Sequence, residues 1–165
     1  MSAVISDCGT YRYRLDRSVQ LDGLTFAYFG INGSTATATE DDHTVRKWIG
    51  FTKLNGGRRF IVGNAFAYRA TDVSDLRRAD DPVGPENDRY IMEIIGEADI
   101  LVPCWGRRIK VPPRLRPRLD DLRDLLFSSG KPVKVLGFVG SGDPAHPLML
   151  PYTTRLVDWK LGSLG

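Results

Sequence analysis

Short apolar runs and helical stripes take turns along this chain, and that alternation constrains its fold more than any other feature. Residues 24–29 (LTFAYF), 60–62 (FIV), 100–104 (ILVPC) and 133–138 (VKVLGF) are brief, rich in β-branched or aromatic side chains, and bounded by turn formers. Strands buried on both faces read this way. Pro103 weakens the third as a fully hydrogen-bonded central strand. Between the runs lie helical patterns. Residues 44–54 put Val45, Trp48, Ile49 and Thr52 on one face after the N-cap candidates Asp41 and Asp42. Residues 86–98 follow Pro85 and align Ile91, Ile94, Ile95 and Ala98. Leu115, Leu119, Leu122, Leu125 and Leu126 stripe a third helix between Pro112-Pro113 and Ser128-Ser129-Gly130. Residues 11–17 alternate with period two, as an edge strand with one wet face does. This order predicts right-handed βαβ units in a single α/β domain spanning residues 1–165, a three-layer α/β/α sandwich with a central, mostly parallel sheet.

Ligands of such sheets bind beyond the carboxyl ends of the strands, so the residues there are the candidates for function. The first central strand runs into Gly30, Ile31, Asn32, Gly33, Ser34 and Thr35, and the second into Asn64, Phe66, Tyr68 and Arg69. The third leads to Trp105, Arg107 and Arg108, and the fourth to a loop carrying His146-Pro147. Each piece has an ordinary structural role open to it: Asn32-Gly33 as a turn, Asn64 as a cap, His146 as a satisfied loop histidine, Trp105 as core. Polar ends on all four strands together favour a shared site.

Composition narrows the chemistry. Two cysteines, Cys8 and Cys104, and two histidines, His43 and His146, are too few for a structural zinc cluster, so neither a metal nor another cofactor is expected. A net charge of +3 tolerates a polyanion without requiring one. The opening residues lack a basic segment followed by an apolar one, and no run approaches the roughly 20 apolar residues that span a bilayer. A cytoplasmic protein without membrane partners is expected. Six of the twelve residues 107–118 are basic, with prolines interleaved. This run is either a phosphate-contacting rim or a solvated face. The connection 70–88 exceeds ordinary loop length and is read as functional or as carrying a turn of helix near 72–79. Dinucleotide, Walker and nucleophile-elbow motifs are all missing from the strand ends.

Several uncommon strings occur in one order: Asn-Gly-Ser-Thr-Ala from Asn32, Asp-Asp-His-Thr-Val-Arg from Asp41, Asn-Ala-Phe-Ala-Tyr-Arg-Ala-Thr-Asp from Asn64, Asp-Pro-Val-Gly-Pro-Glu-Asn-Asp from Asp81, Trp105-Gly106 and His146-Pro147-Leu148. From about residue 12 to 152 the chain resembles the bacterial and phage family catalogued as domain of unknown function 1643. More distantly, Gly30-Ile31-Asn32-Gly33, Asn64 at a strand end, and His146-Pro147 resemble motifs of the uracil-DNA glycosylase superfamily, whose fold is an α/β/α sandwich. Gly33 stands where that motif has proline, and Leu148-Met149-Leu150 replaces its serine-containing continuation.

The second resemblance implies hydrolysis of an N-glycosidic bond, with DNA or a nucleotide containing a modified or deaminated base as partner. Asn32 would hold the attacking water, with Asp41 or Asp42 as activator. Asn64 would read the base edge, and His146 would donate to a base oxygen. Tyr28, Phe66 or Trp105 would stack on the ring, and Gly30, Ile31 and Tyr68 would line the site. Amides around Gly33, Ser34 and Thr35, with Arg69, Arg107 and Arg108, would take phosphates. The residues equally allow a nucleotide- or modified-base-binding protein without turnover, or a hydrolase or transferase acting on free nucleosides or nucleotides.

Overall fold

The structure is a computed structural model that describes residues 1–33, 36–37 and 39–160. The chain runs β1 (Ser2–Ile5), β2 (Arg12–Ser18), β3 (Leu24–Asn32), α1 (His43–Leu54), β4 (Gly57–Phe66), α2 (Asn87–Glu97), β5 (Ile100–Pro103), α3 (Pro117–Ser128), β6 (Lys134–Val135) and β7 (Val157–Asp158). Five strands form one sheet in the order β1-β2-β4-β3-β5.

The sheet is mixed, where a mostly parallel one was predicted. β3 runs parallel to β4 and β5, but β2 is antiparallel to β4 and β1 antiparallel to β2. Period-two patterning of 11–17 marks a strand but carries no information on its direction, and β1 covers the edge that β2 was expected to occupy. The predicted fourth parallel strand is also corrected. Residues 133–138 reach β5 only through a Leu101–Val133 bridge, and β6 pairs antiparallel with β7 instead. Gly137, at φ +110°, bends the chain away two residues after β6 ends.

β3 shows why the centre holds. Phe26, Ala27, Tyr28 and Phe29 are all at most 1% exposed, and the pleat sends alternate residues to opposite faces. Phe26 and Tyr28 pack with Phe60 and Val62 of β4 and with Val45 and Trp48 of α1. Ala27 and Phe29 pack with Ile61, with Ile91 and Ile94 of α2, and with Leu119 and Leu122 of α3. Helices therefore cover both faces. Tyr28 lies face to face with Trp48 at 5.5 Å and shares a 2.8 Å hydrogen bond with the Thr52 hydroxyl, which accounts for a polar tip in an apolar layer. Asp42 starts α1, its carboxylate accepting from the Val45 amide at 2.9 Å. A 3₁₀ turn, Val73–Arg78, fills the long connection after β4.

The connections place the crevice. The chain leaves β3 through α1 on one face, and leaves β5, its neighbour, through α3 on the other. Adjacent parallel strands whose connections diverge in this way open a cleft at their carboxyl ends.

Candidate functional site

At that edge lies a cavity of about 730 Å³. β3 supplies Gly30, Ile31 and Asn32, β4 supplies Asn64, and the segment after β5 supplies Trp105 and Arg107. Asp42 comes from the N-cap of α1, Trp48 from its middle, His146 from the loop after β6, and Arg12 from β2. Asn32, Asn64 and His146, distant along the chain, thus border one hollow.

Their polar atoms are arranged differently. Asn32 Nδ2 donates to the carbonyls of Gly33 at 2.9 Å and Ala70 at 2.7 Å. Only an NH₂ group can face two carbonyls, so Oδ1 is fixed as the remaining acceptor. Asn64 is 3% exposed and borders the cavity, and its side-chain amide makes no hydrogen bond among the described residues. A buried amide in this condition is costly until something pairs with it. His146 Nδ1 accepts from the Leu148 amide at 3.2 Å, which leaves the proton on Nε2. Burial, then the charge of Lys110, pushes the imidazole down to about 4, with Asp42 opposing. At neutral pH it is an uncharged N–H donor.

Three glycines seat these groups. An added Cβ on Gly30 would lie 2.9 Å from Asn64 Oδ1, and one on Gly106 would lie 3.3 Å from the His146 Cβ. A Cβ on Gly33 would lie 3.1 Å from Arg12 Nε. Gly106 also adopts φ +74°, which a side chain disfavours. The glycines of the Gly-Ile-Asn-Gly string therefore make room for side chains from neighbouring strands.

Asp143 braces the far wall. It is 2% exposed and accepts from Ser141 Oγ at 2.7 Å, from Arg108 through its amide at 3.1 Å and its Nε at 3.0 Å, and from Trp105 Nε1 at 3.4 Å. Burial alone would raise its pKa, but these donors hold it below the ordinary carboxylate value. The Gly106 amide donates to Pro144 O at 2.9 Å, tying the end of β5 to the His146 loop.

The other predicted residues that the structure describes lie outside the lining. Asp41 pairs with Arg17 at 2.7 Å. Phe66 is fully buried in the α2–α3 core, and Tyr68 packs against that same core. Gly33 lies against Arg12. Arg69 donates its amide to Thr10 O at 2.9 Å, and Arg108 bridges Asp120 and Asp143. Ser34 and Thr35 fall outside the described residues. Much of the basic run is engaged internally. Arg114 donates to Arg77 O, Arg116 to the carbonyls of Arg108, Ile109 and Val111, and Arg118 to Ala65 O and Asp88. Arg107 and Lys110 do reach the cavity. Sequence reasoning missed Arg12, because a cation in an alternating strand reads as solvated. It also took Trp48 as core alone.

Residues 12–148 match the model of the family described as "Protein of unknown function (DUF1643)", and the chain belongs to that family. No curated protein and no solved structure matches it.

Proposed function

We propose that this member of the family of unknown function 1643 recognises a modified or deaminated base, in DNA or in a nucleotide, and hydrolyses its N-glycosidic bond. The observation that carries this reading is the convergence of Asn32, Asn64 and His146 on one cavity. Breaking the bond builds positive charge on the sugar and negative charge on the departing base. Preorganised donors aimed at that developing charge lower the barrier. The Nε2–H of neutral His146 fills this role, and Asn64, its amide without a partner among the described residues, reads donors and acceptors on the base edge. Asn32 Oδ1, held by two carbonyl contacts behind it, orients the attacking water. The Asp42 oxygen not engaged in capping α1 takes up the proton.

The test is release of free base from nucleotides and oligonucleotides bearing deaminated or modified bases. Asn32→Ala is expected to lower release about 100-fold or more while binding persists. Unchanged turnover would remove Asn32 from the mechanism. One observation favours a second reading, retention of the ligand without cleavage: Asp41 is paired with Arg17 and one Asp42 oxygen caps a helix, leaving little free base. Bound ligand with no base released would select it.

A further inference from the structure

Arg12 is 3% exposed, yet among the described residues no carboxylate lies within ion-pair distance of it, and its side chain makes a single hydrogen bond, from Nη1 to Ala36 O at 3.0 Å. Its Nε and Cζ lie over Gly33, and the residue borders the cavity. Burial, with Arg69 and Arg17 adding to it, lowers its pKa to about 10 against the pull of Asp42, so it remains charged. A buried cation of this kind is expensive unless an anion completes it. The lining carries Arg12, Arg107 and Lys110 against the one carboxylate of Asp42, with His146 neutral. The cavity is therefore electropositive.

We infer that Arg12 is the phosphate-binding residue of the cavity, and that the ligand is a nucleoside monophosphate whose base meets Asn64 while its phosphate enters to reach the Arg12 guanidinium. This inference rests on the base-recognition reading and narrows it. Three observations select a mononucleotide over polymeric DNA. Arg12 is 3% exposed and borders the hollow, which a terminal phosphate can enter and a duplex backbone, continuing on both sides, cannot. The volume lies in the range of about 300–1,000 Å³ that encloses a whole small ligand, so a base alone leaves much of it unfilled. The basic run that would track a duplex is largely tied to carbonyls and carboxylates of its own chain. In the reaction this implies, the oxygen of water bonds to C1′ and the N-glycosidic bond breaks. The base leaves with a proton from that water, and sugar 5-phosphate remains.

The test is calorimetric titration of inorganic phosphate and of paired deoxynucleosides and their 5′-monophosphates, including dUMP and dIMP, into the wild-type protein, Arg12→Gln and Arg12→Lys. Inorganic phosphate is expected to bind the wild type. At least one monophosphate should bind 10-fold or more tighter than its own nucleoside, an advantage falling below about 2-fold in Arg12→Gln and partly kept in Arg12→Lys. Equal affinities of every nucleoside and monophosphate for the wild type, or an advantage undiminished in both variants, would overturn the inference. Base release from oligonucleotides alone would leave the excision reading standing and this one refuted. A phosphate advantage dependent on Arg12 with no base released would do the reverse.

Discussion

Arg12 and Arg17 stand five residues apart on β2, both almost wholly buried, and they are treated in opposite ways. Every nitrogen of the Arg17 guanidinium has a partner. Its Nε meets Asp41 at 2.7 Å, Nη1 donates to Asp16 O at 2.9 Å, and Nη2 donates to the carbonyls of Thr37 and Glu40. These contacts tie Thr37, Glu40 and Asp41 to the sheet. Among the described residues Arg12 has one carbonyl as partner, and it borders a hollow. Burial of charge thus separates two uses. Where the chain supplies the counter-ion and the acceptors, the charge holds structure; where it supplies only part of them, the remainder is left, on the inference that Arg12 binds phosphate, to a ligand, with stability given up to keep it so.

The comparison is open to direct attack. The largest expected effect is from Arg17→Gln, which leaves Asp41 and several carbonyls without donors. It should cost about 3 kcal/mol, a fall in Tm of roughly 10 °C for a domain of this size, measured by thermal unfolding. A loss under about 1 kcal/mol would put Arg17 in the same class as Arg12. A substitution at Gly30 sharpens the functional side. The Cβ of Gly30→Ala meets only the end of the Asn64 side chain, so it should displace the amide and weaken ligand binding about 10-fold, one lost hydrogen bond's worth, with Tm nearly unchanged. Equal losses in binding and stability would mean that the glycine serves packing alone. The smallest stability effect is expected from Arg12→Gln, within about 1 kcal/mol of the wild type or slightly stabilising, since it removes a buried charge that no carboxylate pairs among the described residues. A loss matching that of Arg17→Gln would break the contrast.

His146 adds a dependence on pH. Its folded pKa, near 4, lies below the value of about 6.5 for an unfolded histidine. Between these values the unfolded chain binds the extra proton. The stabilisation is complete above pH 6.5 and is lost as pH falls toward 4. Base release should likewise stay level through pH 6.5 and fall only as pH 4 is approached. A step in activity centred on 6.5, absent in His146→Gln, would show an imidazole exposed to water.

Much of the fold was legible because its signals are local. Val45 and Trp48 on α1, Ile91, Ile94 and Ile95 on α2, and Leu119, Leu122 and Leu126 on α3 are buried as their spacing demands. The sheet's hand of cards was less readable: β2 pairs with β4 across 40-odd residues of sequence, and nothing in an alternating segment states which strand it will join or in which direction. At the site, Asn32 and Asn64 could be found because each lies at or near the carboxyl end of a parallel strand, and such strands end at a common edge; His146 reaches that edge on a loop after β6, outside the parallel set. Arg12 lies at the start of an antiparallel strand, which that rule does not cover. Asp41 could not be told from Asp42 by sequence, since one turn of loop geometry gives the first to Arg17 and the second to the cap of α1.

The central claim is that one cavity, bordered by Asn32, Asn64 and His146, recognises a base. Its most direct test is chromatographic detection of free base, together with equilibrium retention of ligand, for a panel of deaminated and modified mononucleotides and oligonucleotides with the wild type and Asn64→Ala. The expected result is release or retention of a particular base that falls at least 10-fold in Asn64→Ala. Equal behaviour of the two proteins toward every base in the panel would contradict the account.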